Sequence, residues 1–482
     1  MSVKRKQSHS STIELKAEIT EVPTEWSLRS LRDIAIDEPN AITDGPFGSK
    51  LKTEHYTDSG PRVIRLTNIG FGDFIDAHAH ISHERFSTLQ KHCVFAGDIV
   101  IAALGEKLPR ACLIPDSLGP AIVKADCIRF KPGKQYSAKF LNFALNWEGT
   151  QKRVAAIVHG VGRPRLNLTE IKSITLPIPL LAEQKRIVAE IEKQFTRLEA
   201  GTAALRRVQA NLKRYRAAVL KAACEGRLVP TEAELSRNER RSYEPAGELI
   251  ARTPKPARPN RWDSRSKDMI PGHSALAVGN PQTKLPEGWA WTALVEIAKM
   301  ESGHTPSRSH PEWWDGDIAW IGIADAREHH GRTVYETSQH TNRDGIANSA
   351  ARLLPAGTVC ISRTASVGYV VVMGSEMATS QDFVNWVPTP AVTSDWLRII
   401  FCTDRDALRR FGKGSVHKTI YFPEWLSSHI ALPPLAEQTR IVAEVERRLS
   451  VIEGLEAMVA ANLQRAARLR QAVLQRAFSG QL

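Results

Sequence analysis

The sequence predicts an α+β protein built twice over, two globular α/β blocks each followed by one very long helix. Three observations carry the prediction. Residues 181–228 and 435–482 align without a gap, with about twenty positions identical, so the chain holds an internal repeat. Both copies carry a narrow apolar stripe at steps of three and four: Ile187, Ile191, Phe195, Leu198, Leu205, Val208, Leu212, Tyr215 and Val219, then Ile441, Val445, Leu449, Ile452, Val459, Leu463, Ala466 and Val473. The stretches ahead of them hold short β-branched runs bounded by Gly, Pro or Asp, the pattern of strands joined by turns.

In chain order, residues 1–22 are polar and are expected to be a poorly ordered tail with a short helix over Glu14 to Glu21. The first block, 23–176, carries strands over Arg62 to Leu66, Asp98 to Ala102 and Ala121 to Lys124, and an amphipathic helix near Lys139 to Val158. Residues 177–228 are the first long helix. Pro177 and Pro179 stop short of it, no proline lies inside, and Gly226 sits where a C-terminal cap belongs. About 45 helical residues at 1.5 Å each run roughly 65 to 70 Å. A helix of that length with so narrow a stripe needs a partner in water and suits a coiled-coil seam, and the nearest candidate is the other copy. Residues 229–284, rich in Pro, Arg, Ser and Lys, are expected to be a linker. The second block, 285–431, opens at Leu285-Pro286-Glu287-Gly288-Trp289, an echo of Val22-Pro23-Thr24-Glu25-Trp26. Its strands fall over Ile318 to Ile321, Thr358 to Ile361 and Gly368 to Val372, with a helix near Ser394 to Arg410. Residues 432–482 are the second long helix, bounded by Pro433, Pro434 and Gly480. The loops His159 to Asn167 and Phe411 to Ile420 precede the two helices at nearly the same distance, yet the blocks otherwise match poorly. One scaffold carrying two different heads has this pattern.

Lys and Arg outnumber Asp and Glu, 65 to 52, for a formal charge of +13, so a polyanion such as nucleic acid is a natural partner; a basic protein that merely stays soluble fits the charge as well. The six cysteines hold no C-x-x-C pair, which argues against a zinc ribbon or disulfide scaffold and fits a reducing compartment. With no run of 18 apolar residues and no secretory signal, the expectation is a cytoplasmic protein that does not enter a membrane.

The motifs that DNA chemistry requires are missing. An adenine methyltransferase holds its flipped base with an Asn/Asp-Pro-Pro-Tyr/Phe loop, and the only Pro-Pro here is Pro433-Pro434. In Gly412 to Thr419, His417 stands where a Walker loop needs glycine, so that basic turn is better suited to meeting phosphate with its backbone than to binding ATP. No carboxylate cluster beside a lysine suggests a nuclease. His78, His80 and His83 alternate as on a strand edge, where a solvated edge is the better reading than a metal site. Trp313, Trp314 and Trp320 are expected in the core rather than as a stacking platform.

The chain resembles a specificity subunit of a type I restriction-modification system, over nearly its whole length. The residues that carry the resemblance are the doubled P-L-x-E-Q-x-R-I-V start of each long helix (178–188 and 433–442), the terminal Ser479-Gly480-Gln481-Leu482, and the Asp44-Gly45-Pro46-Phe47-Gly48-Ser49 loop. Gly303-His304-Thr305-Pro306-Ser307 and Trp320-Ile321 also resemble family target-recognition domains. An extra leucine shifts the first Pro-Leu element, and Lys185 is matched by Thr439. The resemblance implies two target-recognition domains separated by an antiparallel coiled coil of the two long helices. Tandem units whose helices pack that way are related by a pseudo-twofold and present two unlike heads to two unlike half-sites of double-stranded DNA. It further implies two modification subunits that methylate adenine with S-adenosylmethionine, two restriction subunits that use ATP and Mg, and a specificity chain with no catalytic residue, metal or cofactor of its own. A single-chain fused methyltransferase/nuclease would need the missing loops. A coiled-coil adaptor that binds only proteins would leave the two basic heads without a purpose.

Arg and Lys pair with guanine or phosphate, and Asn with adenine, so in the first block Lys50, Lys52, Arg65, Asn68, Arg163, Arg165 and Asn167 are candidate DNA contacts. Their counterparts in the second are Arg308, Arg363, Lys413, His417 and Lys418. For each, an ordinary surface charge touching no base stays an open reading.

Overall fold

The β-branched runs become strands in both blocks, and in the same order. The computed structural model describes residues 22–160, 162–257, 277–278, 284–364, 366–403, 408, 418–426 and 428–482. The expected tail therefore lies outside the described residues except for Val22, as does the 404–410 part of the expected helix, Leu408 excepted. The chain divides into two compact units, one made by Met1–Arg206 with Ala460–Leu482, the other by Arg207–Val459. Each long helix thus contributes to both.

In the first unit Ile42–Thr43, Cys127–Phe130, Ile99–Ala102 and Arg110–Leu113 lie side by side in one antiparallel sheet. A second sheet orders His80–Ile81, Tyr56–Ile64, Ala121–Val123 and Cys93–Val94, with Arg62 to Ile64 running parallel to Ala121 to Val123. Ile99, Val100, Ile101 and Ala102 are all fully buried, which is why that strand reads as a continuous apolar run. The block's first strand, Ser27–Ser30, pairs with its last, Thr175–Ile178, so the chain leaves beside where it entered and passes straight into the first long helix. The expected helix near 139–158 is two, Ala138–Asn146 and Glu148–Ala155, broken at the extended, buried Trp147. Gly149 lies against that indole so closely that a Cβ would fall 2.4 Å from it.

The first long helix spans Leu181–Cys224 and the second Leu435–Phe478, 44 residues each. Within the first unit Ile187, Ile191 and Phe195 share a core with Val473, Leu474, Ala477 and Phe478. Phe478 stacks on Trp147 at 5.2 Å, and the Trp147 indole N–H donates to Gln475 at 2.7 Å. Arg186 donates to the Leu482 carbonyl at 2.8 Å. Arg470 lies 4.2 Å over the Phe195 ring and pairs with Asp73 (3.2 Å) and Glu199 (3.6 Å).

In the second unit Ala298–Ser302, Phe383–Pro388, Val359–Ser362 and Val370–Met373 repeat the first sheet's order, with Thr333–Val334 added at the edge. His340–Thr341, Trp314–Ile321 and Ala378–Thr379 repeat three of the other sheet's four strands, again with one parallel pairing. Ala290–Ala293 pairs with His429–Leu432 before the second long helix begins. Val219, Ala223, Ile441 and Val445 join this block's core, and Arg216 pairs with Glu453 (3.7 Å) and Glu456 (3.2 Å). In each unit, then, the two long helices pack together. The stripe is thinner than its periodicity suggests: Val208 and Tyr215 are exposed, and between Phe195 and Val219 only Leu212 is buried on the first helix.

The doubled helix motif has a structural reason. Gln438 is fully buried, accepts from the Thr393 N–H (2.9 Å) and donates to the Ala391 and Pro433 carbonyls (3.0 Å each). Gln184, its repeat mate, accepts from the Ser137 N–H and donates to the Pro179 carbonyl, both at 2.9 Å. Thr393 and Ser137 immediately precede the helices Ser394–Thr403 and Ala138–Asn146, so each glutamine ties a block's helix to a long helix. Both long helices end on a left-handed glycine, Gly226 (φ 64) and Gly480 (φ 73), with Arg227 donating to Ala222 (2.8 Å) and Gln481 to Arg476 (2.9 Å). A Cβ on Gly226 would fall 2.4 Å from Pro286, and one on Gly480 2.7 Å from Pro23. The echoing Pro-x-x-Trp openings are thus what the helix ends pack against.

The stretch expected as a linker is folded over its first half. Helices Glu232–Glu239 and Ala246–Arg252 form there, and Ala246 and Leu249 are buried in the second block's core. Glu232 is buried between Arg440 and Arg241, 2.5 Å from each, and its N–H donates to Glu437 at 2.8 Å. Burial alone would raise the Glu232 carboxyl, but the bonds from Arg241 and Arg440 outweigh it and hold the group below its usual range. Thr231 and Glu234 form a capping box that the Pro- and Arg-rich composition concealed.

Candidate nucleic-acid interface

Two glycines set up equivalent loops. Gly45 lies against Lys124, where a Cβ would fall 2.1 Å from its carbonyl carbon, and Gly303 lies against Ser380, where a Cβ would fall 1.9 Å from its carbonyl oxygen. In each block the loop that follows is therefore clamped to the end of the strand in the parallel pairing. No other residue fits there, because the obstacle is backbone.

In the first block this loop exposes Phe47, Lys50 and Lys52. Gly48 takes φ 58, and Arg85 donates to the Lys50 carbonyl. Lys52 is 3.5 Å from Glu54. Arg165 reaches this loop from the other side: its guanidinium is 5.9 Å from the Phe47 ring and 2.6 Å from Asp126. Arg163 is exposed nearby in sequence. The candidates Asn68 and Asn167 do something else. Asn68 is fully buried, donating to the Ile75 and Ala77 carbonyls (2.8 Å each) and accepting from the Arg65 N–H (2.9 Å), so its amide has nothing left for a base. Arg65 donates to the His78 carbonyl at 3.1 Å. Asn167 caps helix Leu168–Ser173, accepting from Glu170 N–H at 2.9 Å while Glu170 accepts from Asn167 N–H at 2.7 Å. The Asn-x-x-Glu spacing of that capping box was readable in the sequence.

In the second block Arg308 lies over Trp314, 3.6 Å from the ring centroid, and bonds the Gln339 side-chain oxygen. Arg363 is half-buried over Phe422 at 4.6 Å, and its burial lowers its pKa from the usual arginine value. Its carbonyl accepts from Ile420 N–H at 2.8 Å, which brings it beside the exposed Lys418. In the first block Ala103 and Leu166 make the same pairing at 2.9 Å, so Arg165 and Lys418 flank equivalent junctions. Lys413 and His417 lie outside the described residues.

The tryptophans divide. Trp320 is in the core, whereas Trp314 is half-buried and carries Arg308, and Trp313 stacks on His310 at 4.1 Å. Sequence reasoning did not nominate Gln339 or Asp126, since a lone Gln or Asp carries no signal until its arginine is beside it. His80 sits 2.7 Å from the Gly60 carbonyl and His78 3.4 Å from Asp76. Among the described residues no group of three or more His, Cys, Asp or Glu could hold a metal, and no helix is long and apolar enough to cross a membrane.

The family model for the type I restriction modification DNA specificity domain matches residues 23–205 and 286–453. The chain is similar to the type I restriction enzyme MjaIX specificity subunit of Methanocaldococcus jannaschii, 27% identical over 201 residues, 40% of this chain and 43% of that protein. The match thus spans less than half of that relative's length. With the EcoBI specificity subunit of Escherichia coli it shares 22% identity over 467 residues, 93% of this chain and 85% of that protein. The fold is similar to a chain solved in work on complex assembly and conformational transition of the type I R-M system, with a TM-score of 0.66 at 18% identity, covering 96% of this chain and 100% of that one.

Proposed function

Since this chain belongs to the DNA specificity family of type I restriction-modification systems, we propose that it is the subunit that selects the DNA sequence on which such a complex acts. Residues 23–176 and 285–431 are the two reading heads, each taking one half of a bipartite, asymmetric site in double-stranded DNA. The observation that carries this reading is one strand order used twice with different side chains on the equivalent loops. Phe47 and Lys50 stand on one, with Arg165 reaching it from a neighbouring loop, and Arg308 with Trp314 stands on the other. A shared frame with unlike contact residues is what two independent readers need.

The segments 177–228 and 432–482, whose long helices span Leu181–Cys224 and Leu435–Phe478, run antiparallel and form the spacer that sets the gap between half-sites. Two contacts support this direction. Arg186, near the start of the first, meets Leu482 beyond the end of the second, and Arg216, near the end of the first, meets Glu453 towards the start of the second. The same arrangement relates the two heads by a pseudo-twofold. The chain contributes recognition, while partner subunits contribute chemistry: two modification subunits methylate adenine with S-adenosylmethionine, and two restriction subunits cleave with ATP and Mg.

The test is reconstitution. Alone, the chain neither methylates nor cleaves; with its partners it confers both activities on one bipartite motif. Exchanging residues 285–431 for the corresponding block of a relative changes one half of the motif and leaves the other. Activity from the isolated chain, or a swap that alters both halves, refutes the reading.

A further inference from the structure

We propose that Arg308 reads a guanine in the half-site of the second block, with Trp314 and Gln339 as its positioning residues. The inference rests on the DNA-reading function above and adds the base and the residue that selects it. The backbone around Arg308 is held at several points. Gly303 is clamped against Ser380, the His304 N–H donates to the Thr379 carbonyl at 2.9 Å, and the His304 carbonyl accepts the Trp320 indole N–H at 3.2 Å. The Ser307 carbonyl accepts both the Trp314 indole N–H (3.4 Å) and the His310 N–H (3.3 Å), closing a turn with Arg308 inside it.

On this turn the side chain is fixed as well. The guanidinium lies over Trp314 at 3.6 Å, is 5.4 Å from Trp320, and donates from Nη2 to Gln339 Oε1. Those contacts occupy one face and one hydrogen. Among the described residues Nη1, Nε and the second Nη2 hydrogen have no protein acceptor, and no carboxylate neutralises the charge. An exposed arginine ordinarily keeps its rotamer freedom and loses it on binding. Here that loss is already taken in the free protein, and the unused N–H pair has the parallel geometry that meets guanine O6 and N7 together. Arg165 does not offer this, because Asp126 already accepts from its guanidinium at 2.6 Å, and neither does the half-buried Arg363. A phosphate would also accept from Arg308, but it would do so whatever the sequence, and that difference decides the test.

The experiment measures methylation by the complete complex on a DNA pool randomised in the half-site assigned to the second block by the exchange above, at one salt concentration. The wild-type complex requires guanine at one position. Arg308→Ala and Arg308→Lys reduce the preference for guanine at that position by about 5- to 150-fold and leave the other positions as they were. Gln339→Ala gives a smaller loss at the same position. The lysine variant keeps the charge, so it separates a bidentate base contact from simple attraction, and thermal melting of each variant separates both from misfolding. If Arg308→Ala misfolds, Arg308→Lys and Gln339→Ala decide. A motif without guanine in that half, or variants that lower methylation of all sequences alike, overturns the proposal and leaves the DNA-reading function standing. A wild-type complex with no sequence preference overturns that function itself.

Discussion

The two motif glutamines are indistinguishable in sequence, and the structure predicts that they are not equal in energy. Gln438→Ala strands three polar groups, the half-buried Thr393 N–H and the buried Ala391 and Pro433 carbonyls. Gln184→Ala strands two, the Ser137 N–H and the Pro179 carbonyl. A buried group left without a partner costs about 1–3 kcal/mol. Taken near the lower end of that range, the first substitution costs about 3–4 kcal/mol and the second about 2–3. Each loss should be local, because each glutamine holds the start of one helix, Ser394–Thr403 or Ala138–Asn146, against its long helix. Hydrogen exchange read by mass spectrometry resolves this. The segment around Thr393 loses protection in Gln438→Ala and that around Ser137 in Gln184→Ala, with the larger loss in the former, and urea unfolding followed by tryptophan fluorescence gives the same order. Equal losses, or a loss under about 1 kcal/mol at either site, would mean that these hydrogen bonds are not what docks the blocks on the helices.

Three further outcomes follow from the same contacts. Gly480→Ala, at φ 73 with Pro23 behind it, lowers stability by about 1–2 kcal/mol, whereas Gly201→Ala and Gly454→Ala, inside the long helices with nothing within 4 Å, raise it by up to about 1 kcal/mol each; thermal melts test the contrast. Bonds from Arg447 and Arg448 hold the Glu444 carboxyl down at about 2. The folded value lies below the ordinary 4.5, so the stabilisation is complete above that pH and is lost as pH falls from 4.5 towards 2. Melting across that window shows the loss in the wild type and a flatter profile in Glu444→Gln. Burial pushes the Cys112 and Cys127 thiols up to about 12 and raises Cys93 and Cys360 as well, so a thiol reagent at neutral pH spares these four in the native protein and labels them in urea.

The features readable from the sequence were those whose cause is local or periodic. Both long helices, their proline-bounded starts and their glycine caps follow from spacing along a few turns, and the doubled Pro-x-x-Trp openings mark what packs on Gly226 and Gly480. Where expectation and structure part, the deciding contact joins residues far apart in the chain. Residues 229–257 look like a spacer until Arg440 closes on Glu232, 208 positions earlier. Asn68 looks like an adenine reader until Ile75 and Ala77 take its amide.

By itself, then, the sequence determined that the chain is a repeated unit of block and rod, because a helical period and a terminal glycine act within one stretch of backbone. Only the tertiary structure decided which cations stand ready for a ligand. Arg165 and Arg308 are the same residue type on exposed loops of the two blocks, yet one meets the Asp126 carboxylate, 39 positions away, and the other a neutral amide, Gln339, 31 positions away. An arginine's free donors depend on what else reaches it, and that is settled by folding distant segments together.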